Sequence, residues 1–96
     1  MEFNFEWDED KAKQNLKKHN VSFFEAATVF NDPLSLTVND PLHSTQEERF
    51  IDIGQSSQGR ILVVVYTERS NNIRIISARL ATRNERRAYE GDDTTN

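Results

Sequence analysis

Cysteine is absent from the 96-residue chain, and proline, glycine and histidine are scarce, with two, three and two residues. Without thiols there is no disulfide and no thiolate nucleophile. The two histidines, His19 and His43, stand 24 positions apart, which fits no zinc-binding spacing, so neither a structural metal nor a cofactor is expected. No apolar run approaches the roughly 20 residues that span a bilayer. The first ten residues, MEFNFEWDED, are acidic and lack the basic and apolar regions of a secretory signal, which predicts a cytoplasmic protein with no membrane partner. Glycine-rich phosphate loops, serine elbows and metal-binding carboxylate sets are missing too, and the commonest enzyme classes leave with them.

What the chain has instead is sorted charge. Its formal net charge is −4, yet residues 1–10 and 25–48 hold acids and no base, whereas residues 60–89 hold seven arginines against Glu68 and Glu85. All four lysines lie between Lys11 and Lys18, and all eight arginines lie from Arg49 onward. Such a chain can bind an anion locally while repelling bulk polyanion elsewhere. With 35% hydrophobic and 29% charged residues it has the composition of an ordinary folded domain with one modest core. One domain is expected over residues 1–91, followed by a disordered acidic tail over residues 92–96.

Three strand-like runs organise that domain. The unbroken apolar run Ile61 to Tyr66 predicts a central strand covered on both faces. Arg49 to Gln55 alternates, with Phe50, Asp52 and Gly54 on one face and Ile51 and Ile53 on the other. Ser70, Asn71 and Asn72 tolerate turn geometry before a third strand that begins near Ile73, and the three strands form an antiparallel meander. Upstream, Phe3, Phe5 and Trp7 alternate as a short strand. Asp8 caps a helix running to about His19, with a thin apolar face of Ala12 and Leu16, and Asn20 stops it. Ser22 and Glu25 make a capping-box pattern for a second helix, which Asn31, Asp32 and Pro33 end. Leu34, Leu36 and Val38 alternate as a strand, and residues 39–47 read as an exposed loop. Thr82 and Glu85 repeat the capping-box pattern, placing Arg83, Arg86 and Arg87 on a last helix that ends near Gly91.

The sharpest chemical constellation is Arg79, Arg83 and Arg86, with Arg87 beside them. Guanidinium groups offer forked, permanent contacts to phosphate, and a helix N-terminus adds free amides. The competing account is a solvated charged face. His19 brings a residue type that exchanges protons near neutral pH, with Lys18 next to it. Glu48 and Arg49 could act as a general base with its positioning cation or form a surface ion pair. Tyr66 and Tyr89 take core or rim roles, and His43 is incidental.

Three blocks, FEWDEDKAKQNLKKHNVSFFEAATVFNDP, ERFIDIGQSSQGRILVVVYTER and NIRIISARLATRNERRAYE, together resemble the BrnT family of type II toxins over about Phe3 to Glu90. The resemblance implies an α+β fold similar to the RelE and ParE toxins, with helices packed against an antiparallel sheet. It implies a ribonuclease that arrests growth by lowering translation and is neutralised in a hetero-oligomer by a BrnA-like ribbon-helix-helix antitoxin, through which alone operator DNA is bound. Relatives of the RelE type cleave RNA without metal, using the 2′-hydroxyl as nucleophile and basic residues to stabilise the phosphorane. The positions implied here are Lys18, His19, Arg79 and Arg83 for catalysis, Arg49 and Arg86 for RNA binding, and Glu48 as candidate general base; Arg60 and Arg87, in the same arginine-rich part of the chain, are further candidates for RNA binding. Two other readings stay open: a non-catalytic module whose basic face docks an acidic antitoxin segment, and a ParE-like toxin acting on a protein target.

Overall fold

The computed structural model describes residues 3–40 and 47–91; His43, most of the predicted loop and the predicted acidic tail lie outside the described residues. In chain order the elements are β1 (Asn4–Glu6), α1 (Glu9–His19), α2 (Phe23–Thr28) continued by a 3-10 turn (Val29–Asn31), β2 (Leu36–Asn39), β3 (Phe50–Gln55), β4 (Ile61–Arg69), β5 (Asn72–Leu80) and α3 (Arg83–Tyr89). The five strands form one sheet in the order β1-β5-β4-β3-β2. From β2 to β5 all neighbours are antiparallel, as the meander predicts, and this is the α+β fold expected. Beyond that expectation, β1 joins the far edge parallel to β5, with Asn4 opposite Asn72 and Glu6 opposite Arg74.

Local chemistry sets the boundaries. Asp8 accepts from the Lys11 amide at 3.0 Å at the start of α1, and Asn20 at φ 58° ends it. The Ser22 hydroxyl accepts from the Glu25 amide at 3.0 Å, but the capping box expected there is only half formed, because the Glu25 carboxylate turns to Arg60 and Ser56 instead of the Ser22 amide. Ser70 at φ 54° closes the two-residue turn between β4 and β5. Both bonds of the Thr82–Glu85 capping box are formed.

Helices α1 and α2 cover one face of the sheet. Leu62, Val64 and Tyr66 of β4 and Ile73, Ile75 and Ala78 of β5 pack there against Val21, Phe23, Ala26 and Val29. Val63, pointing the other way, is also only 3% exposed, so β4 is covered on both sides. Strand β3 alternates as predicted, but the side chain it buries on the helix-side face is a carboxylate, Asp52, next to buried Gly54. Tyr66 and Thr37 hydroxyls donate to it at 2.9 and 2.8 Å, and burial pushes its carboxyl above the ordinary range.

Helix α1 docks by an unexpected means. Its apolar Leu16 is 49% exposed, whereas Asn15 is buried at 8%. The Asn15 amide donates to the Ala78 and Val21 carbonyls at 2.8 and 2.9 Å and accepts from the Ala78 amide at 3.1 Å. Strand β1 pairs with β5 only as far as Arg74, and past that point Asn15 bonds the open β5 edge as a strand would. Just before Ala78 a bulge sets Ile76 and Ser77 against Val65. Bulges redirect side chains, and this one lies beside the residues of interest.

Candidate functional site

Lys18 and His19 lie in the last turn of α1, and the chain after them is fixed by Arg60, whose Nη2 donates to the Asn20 carbonyl at 3.0 Å. Arg60 precedes β4, whose first residue Ile61 accepts from the Ala81 amide at 2.9 Å. The C-terminal end of α1 therefore sits at the same end of the sheet as the exit of β5 and the start of α3. A groove of about 320 Å³ runs there between α1 and the bulged edge of β5, lined by Lys11, Gln14, Asn15, Lys18, His19, Ile76 and Ser77. Ser77 and Arg79 pair with Val65 and Val63 on the sheet face opposite α1 and α2, spaced about 6.6 Å along the strand. Arg79 thus stands one side-chain position beyond the groove, and Arg83 follows on α3.

Arg79 is held by a carboxylate fork. Its Nη1 and Nη2 donate to the two Glu85 oxygens at 2.8 and 2.9 Å, and Nη1 also reaches the Leu80 carbonyl at 3.2 Å. The Arg79 guanidinium draws the Glu85 carboxyl down to about 2, against its partial burial and with help from the Thr82 amide, and Glu85 keeps Arg79 more firmly protonated in return. A guanidinium has five N–H donors, so the Nε and outer Nη2 hydrogens remain as a side-on fork of the kind that takes a phosphate. The pair itself is neutral. Net positive charge comes from Arg83 and Arg86, exposed three residues apart on α3, and from Lys18; none of these three side chains has a hydrogen-bond or ion-pair partner among the described residues. Arg87 is partly buried and already engaged within the chain. The free amides expected at the start of α3 are not all open, because the capping box takes the Glu85 amide and the Thr82 amide.

The remaining predicted residues lie elsewhere. Arg60 points to the helix-covered side. Its Nε donates to Glu25 Oε2 at 2.9 Å, its Nη2 pairs with Glu25 Oε1, and Ser56 Oγ donates to the same carboxylate at 2.7 Å. That arrangement ties the β3–β4 turn to α2. Glu48 and Arg49 lie at the opposite end of the sheet: Phe50 pairs with Tyr66 and Arg79 with Val63, so the registers differ by three residues of β4, about 10 Å, before Glu48 is reached. Arg49 approaches Glu47 at 3.9 Å there, and Arg69 and Arg74 approach Glu6 at 3.9 and 3.0 Å. Sequence reasoning overlooked Lys11, Gln14 and Ser77 as groove residues. The i, i+7 spacing of Lys11 and Lys18 on one helical face was the available signal; the bulge that brings Ser77 beside them had none.

A second polar hollow, lined by Thr28, Asn31, Asp32, Gln55, Ser56 and Ser57, is unsuited to an anion. Asp32 is its ionisable lining residue, and its carboxylate already accepts from the Gln55 amide at 2.8 Å and the Tyr89 hydroxyl at 2.5 Å. Among the described residues no three His, Asp or Glu side chains converge as a metal site. No helix is long and apolar enough to cross a membrane.

The fold and the sequence both have known counterparts. The crystal structure of the Brucella abortus ribonuclease toxin BrnT superimposes with a TM-score of 0.62 at 21% identity, covering 85% of this chain and 100% of that one. A likeness at that identity speaks for the fold. No curated protein matches the sequence. The sequence model of the family described as "Ribonuclease toxin, BrnT, of type II toxin-antitoxin system" matches residues 7–85, which takes in α1, the whole meander, the groove residues, Arg79 and Arg83. The chain therefore belongs to the BrnT family of ribonuclease toxins of type II toxin–antitoxin systems.

Proposed function

We propose that RNA is cut at the end of the sheet where α1, β5 and α3 meet, by transesterification without a metal ion. The observation that carries this reading is the groove between α1 and β5, which Lys11, Lys18 and His19 line together with Ser77, two residues before Arg79 on the same strand. The side-on fork of Arg79 and the guanidinium of Arg83 grip the non-bridging oxygens, and Arg86 holds a neighbouring phosphate. The 2′-oxygen bonds to phosphorus and gives its proton to water, and Lys18 and the arginines stabilise the extra charge of the phosphorane. As the bond from phosphorus to the 5′-oxygen breaks, His19 supplies a proton to that oxygen, a contribution of about 10²- to 10⁴-fold for a positioned acid. The partner is a BrnA-like ribbon-helix-helix antitoxin, and the complex is a cytoplasmic hetero-oligomer that meets operator DNA through the antitoxin.

Arg83 and Lys18 carry no internal bonds, so removing them leaves stability within about 0.5 kcal/mol. The test is cleavage of purified total RNA in EDTA by the wild-type protein and by the Arg83→Ala, Lys18→Ala double variant. Cleavage that persists in EDTA and falls at least about 100-fold in the variant supports the reading. Wild-type cleavage that stops in EDTA, or a variant that cuts at the wild-type rate, overturns it.

A further inference from the structure

We propose that the apolar groove between α1 and α2 is the seat of an amphipathic, acidic segment of the antitoxin. This rests on the antitoxin partner of the reading above and is independent of how RNA is cut. The groove holds about 130 Å³, room for one branched aliphatic side chain, and is lined by Trp7, Ala12, Lys13, Leu16, Phe23 and Phe24, with Ser22 at its margin. Phe24 is 75% exposed and stands edge-on to Trp7 at 5.0 Å, and Leu16 is half exposed beside them. A large aromatic presented to water next to a preformed apolar slot is the usual anchor of a protein interface.

Charge identifies the occupant. Helix α1 divides its lysines between two faces: Lys11 and Lys18 line the groove on β5, whereas Lys13 lines the apolar groove and Lys17, four residues on, shares its face. Neither Lys13 nor Lys17 has an ion-pair partner among the described residues. A segment that places an aliphatic side chain beside Phe24 and carboxylates over Lys13 and Lys17 satisfies the whole patch. An anionic membrane fits it poorly, because the chain carries a net charge of −4 and α1 itself begins with Glu9 and Asp10. The exposed residues Leu36 and Val38 on the edge strand β2 form another apolar surface, but no cation on that strand specifies a partner. With a segment seated on α1, the antitoxin lies against the helix that also carries Lys18 and His19, which places it within reach of the RNA groove.

The experiment titrates the purified cognate antitoxin into the full-length toxin by calorimetry. The Leu16→Ser, Phe24→Ser variant is expected to bind at least about 30-fold more weakly, as for loss of an interface anchor, while its RNA cleavage matches wild type. The Lys13→Glu, Lys17→Glu variant is expected to bind about tenfold more weakly, with a flatter salt dependence. Affinity within about threefold of wild type in the first variant overturns the proposal, as does an equivalent loss that appears only in Leu36→Ser, Val38→Ser. Flotation of the free toxin with phosphatidylglycerol vesicles, abolished by Phe24→Ser, would reassign the groove to a lipid surface. Binding lost in the first variant when wild-type toxin cuts no RNA leaves this inference standing and removes the nuclease mechanism instead.

Discussion

Replacing Arg60 by alanine separates an RNA contact from a structural anchor. Glu25 has a side chain only 2% exposed, and three donors meet its carboxylate: Arg60 Nε, Arg60 Nη2 and Ser56 Oγ. Arg60, foremost, holds the Glu25 carboxyl below its ordinary range, with Ser56 assisting and burial opposing. Alanine removes two of the three donors and leaves a buried carboxylate with one hydroxyl. Breaking a buried pair from one side costs about 3–5 kcal/mol. For a domain of this size each kcal/mol lowers Tm by about 4–8 °C, so the expected fall is about 12–40 °C. Thermal unfolding followed by circular dichroism at pH 7 measures it. A second substitution, Glu25→Gln, removes the stranded charge, so the Arg60→Ala, Glu25→Gln protein is expected to regain part of the loss, with a coupling of about 1–3 kcal/mol in the double-mutant cycle. An Arg60→Ala protein that melts within about 3 °C of wild type while its RNA cleavage collapses would refute the anchoring role. Arg60 would then act on the substrate.

Three further outcomes are expected. Asn15→Ala strips the bonds to both backbone groups of Ala78, and with a buried unsatisfied group costing about 1–3 kcal/mol it should lower the urea midpoint and speed hydrogen exchange at the Ala78 amide; unchanged exchange there would show that water replaces the side chain. Gly54→Ala sets a new Cβ 2.8 Å from Val29 Cγ1 and 2.9 Å from Ser35 Cβ, and overpacking of this kind should cost about 1–3 kcal/mol, read as a lower urea midpoint with unchanged m. The Glu85 carboxyl is depressed to about 2 in the folded chain from an ordinary value of 4.5, so its bond to Arg79 stabilises fully above about pH 4.5 and is lost as pH falls toward 2. Between those limits Glu85→Gln should flatten the fall in Tm, and an acid limb as steep as wild type would show that other carboxylates govern it.

The strands, the Thr82–Glu85 capping box, the Ser22 cap and the helix stops were legible because each depends on neighbours a few residues apart. The apolar run of β4, the hydroxyl of Ser22 before Glu25 and of Thr82 before Glu85, and the left-handed Asn20 all act within one turn or one strand. Sequence also marked the arginines at the end of β5 and the lysines of α1, since charge sorting needs no coordinates. Three things depended on contacts between distant segments. The parallel pairing of β1 with β5 joins residues 68 positions apart, at Asn4 and Asn72. Burial of Asn15 and Asp52 in place of their apolar neighbours follows from backbone groups and hydroxyls that only the assembled sheet presents. The division of the arginines is also tertiary: identical side chains at positions 60, 79 and 83 become an anchor for buried Glu25, a fork clamped by Glu85 and an unpaired cation, according to which carboxylate the fold brings within reach. Local sequence fixes what a side chain can donate, and the partner that takes the donation is decided when the chain closes on itself.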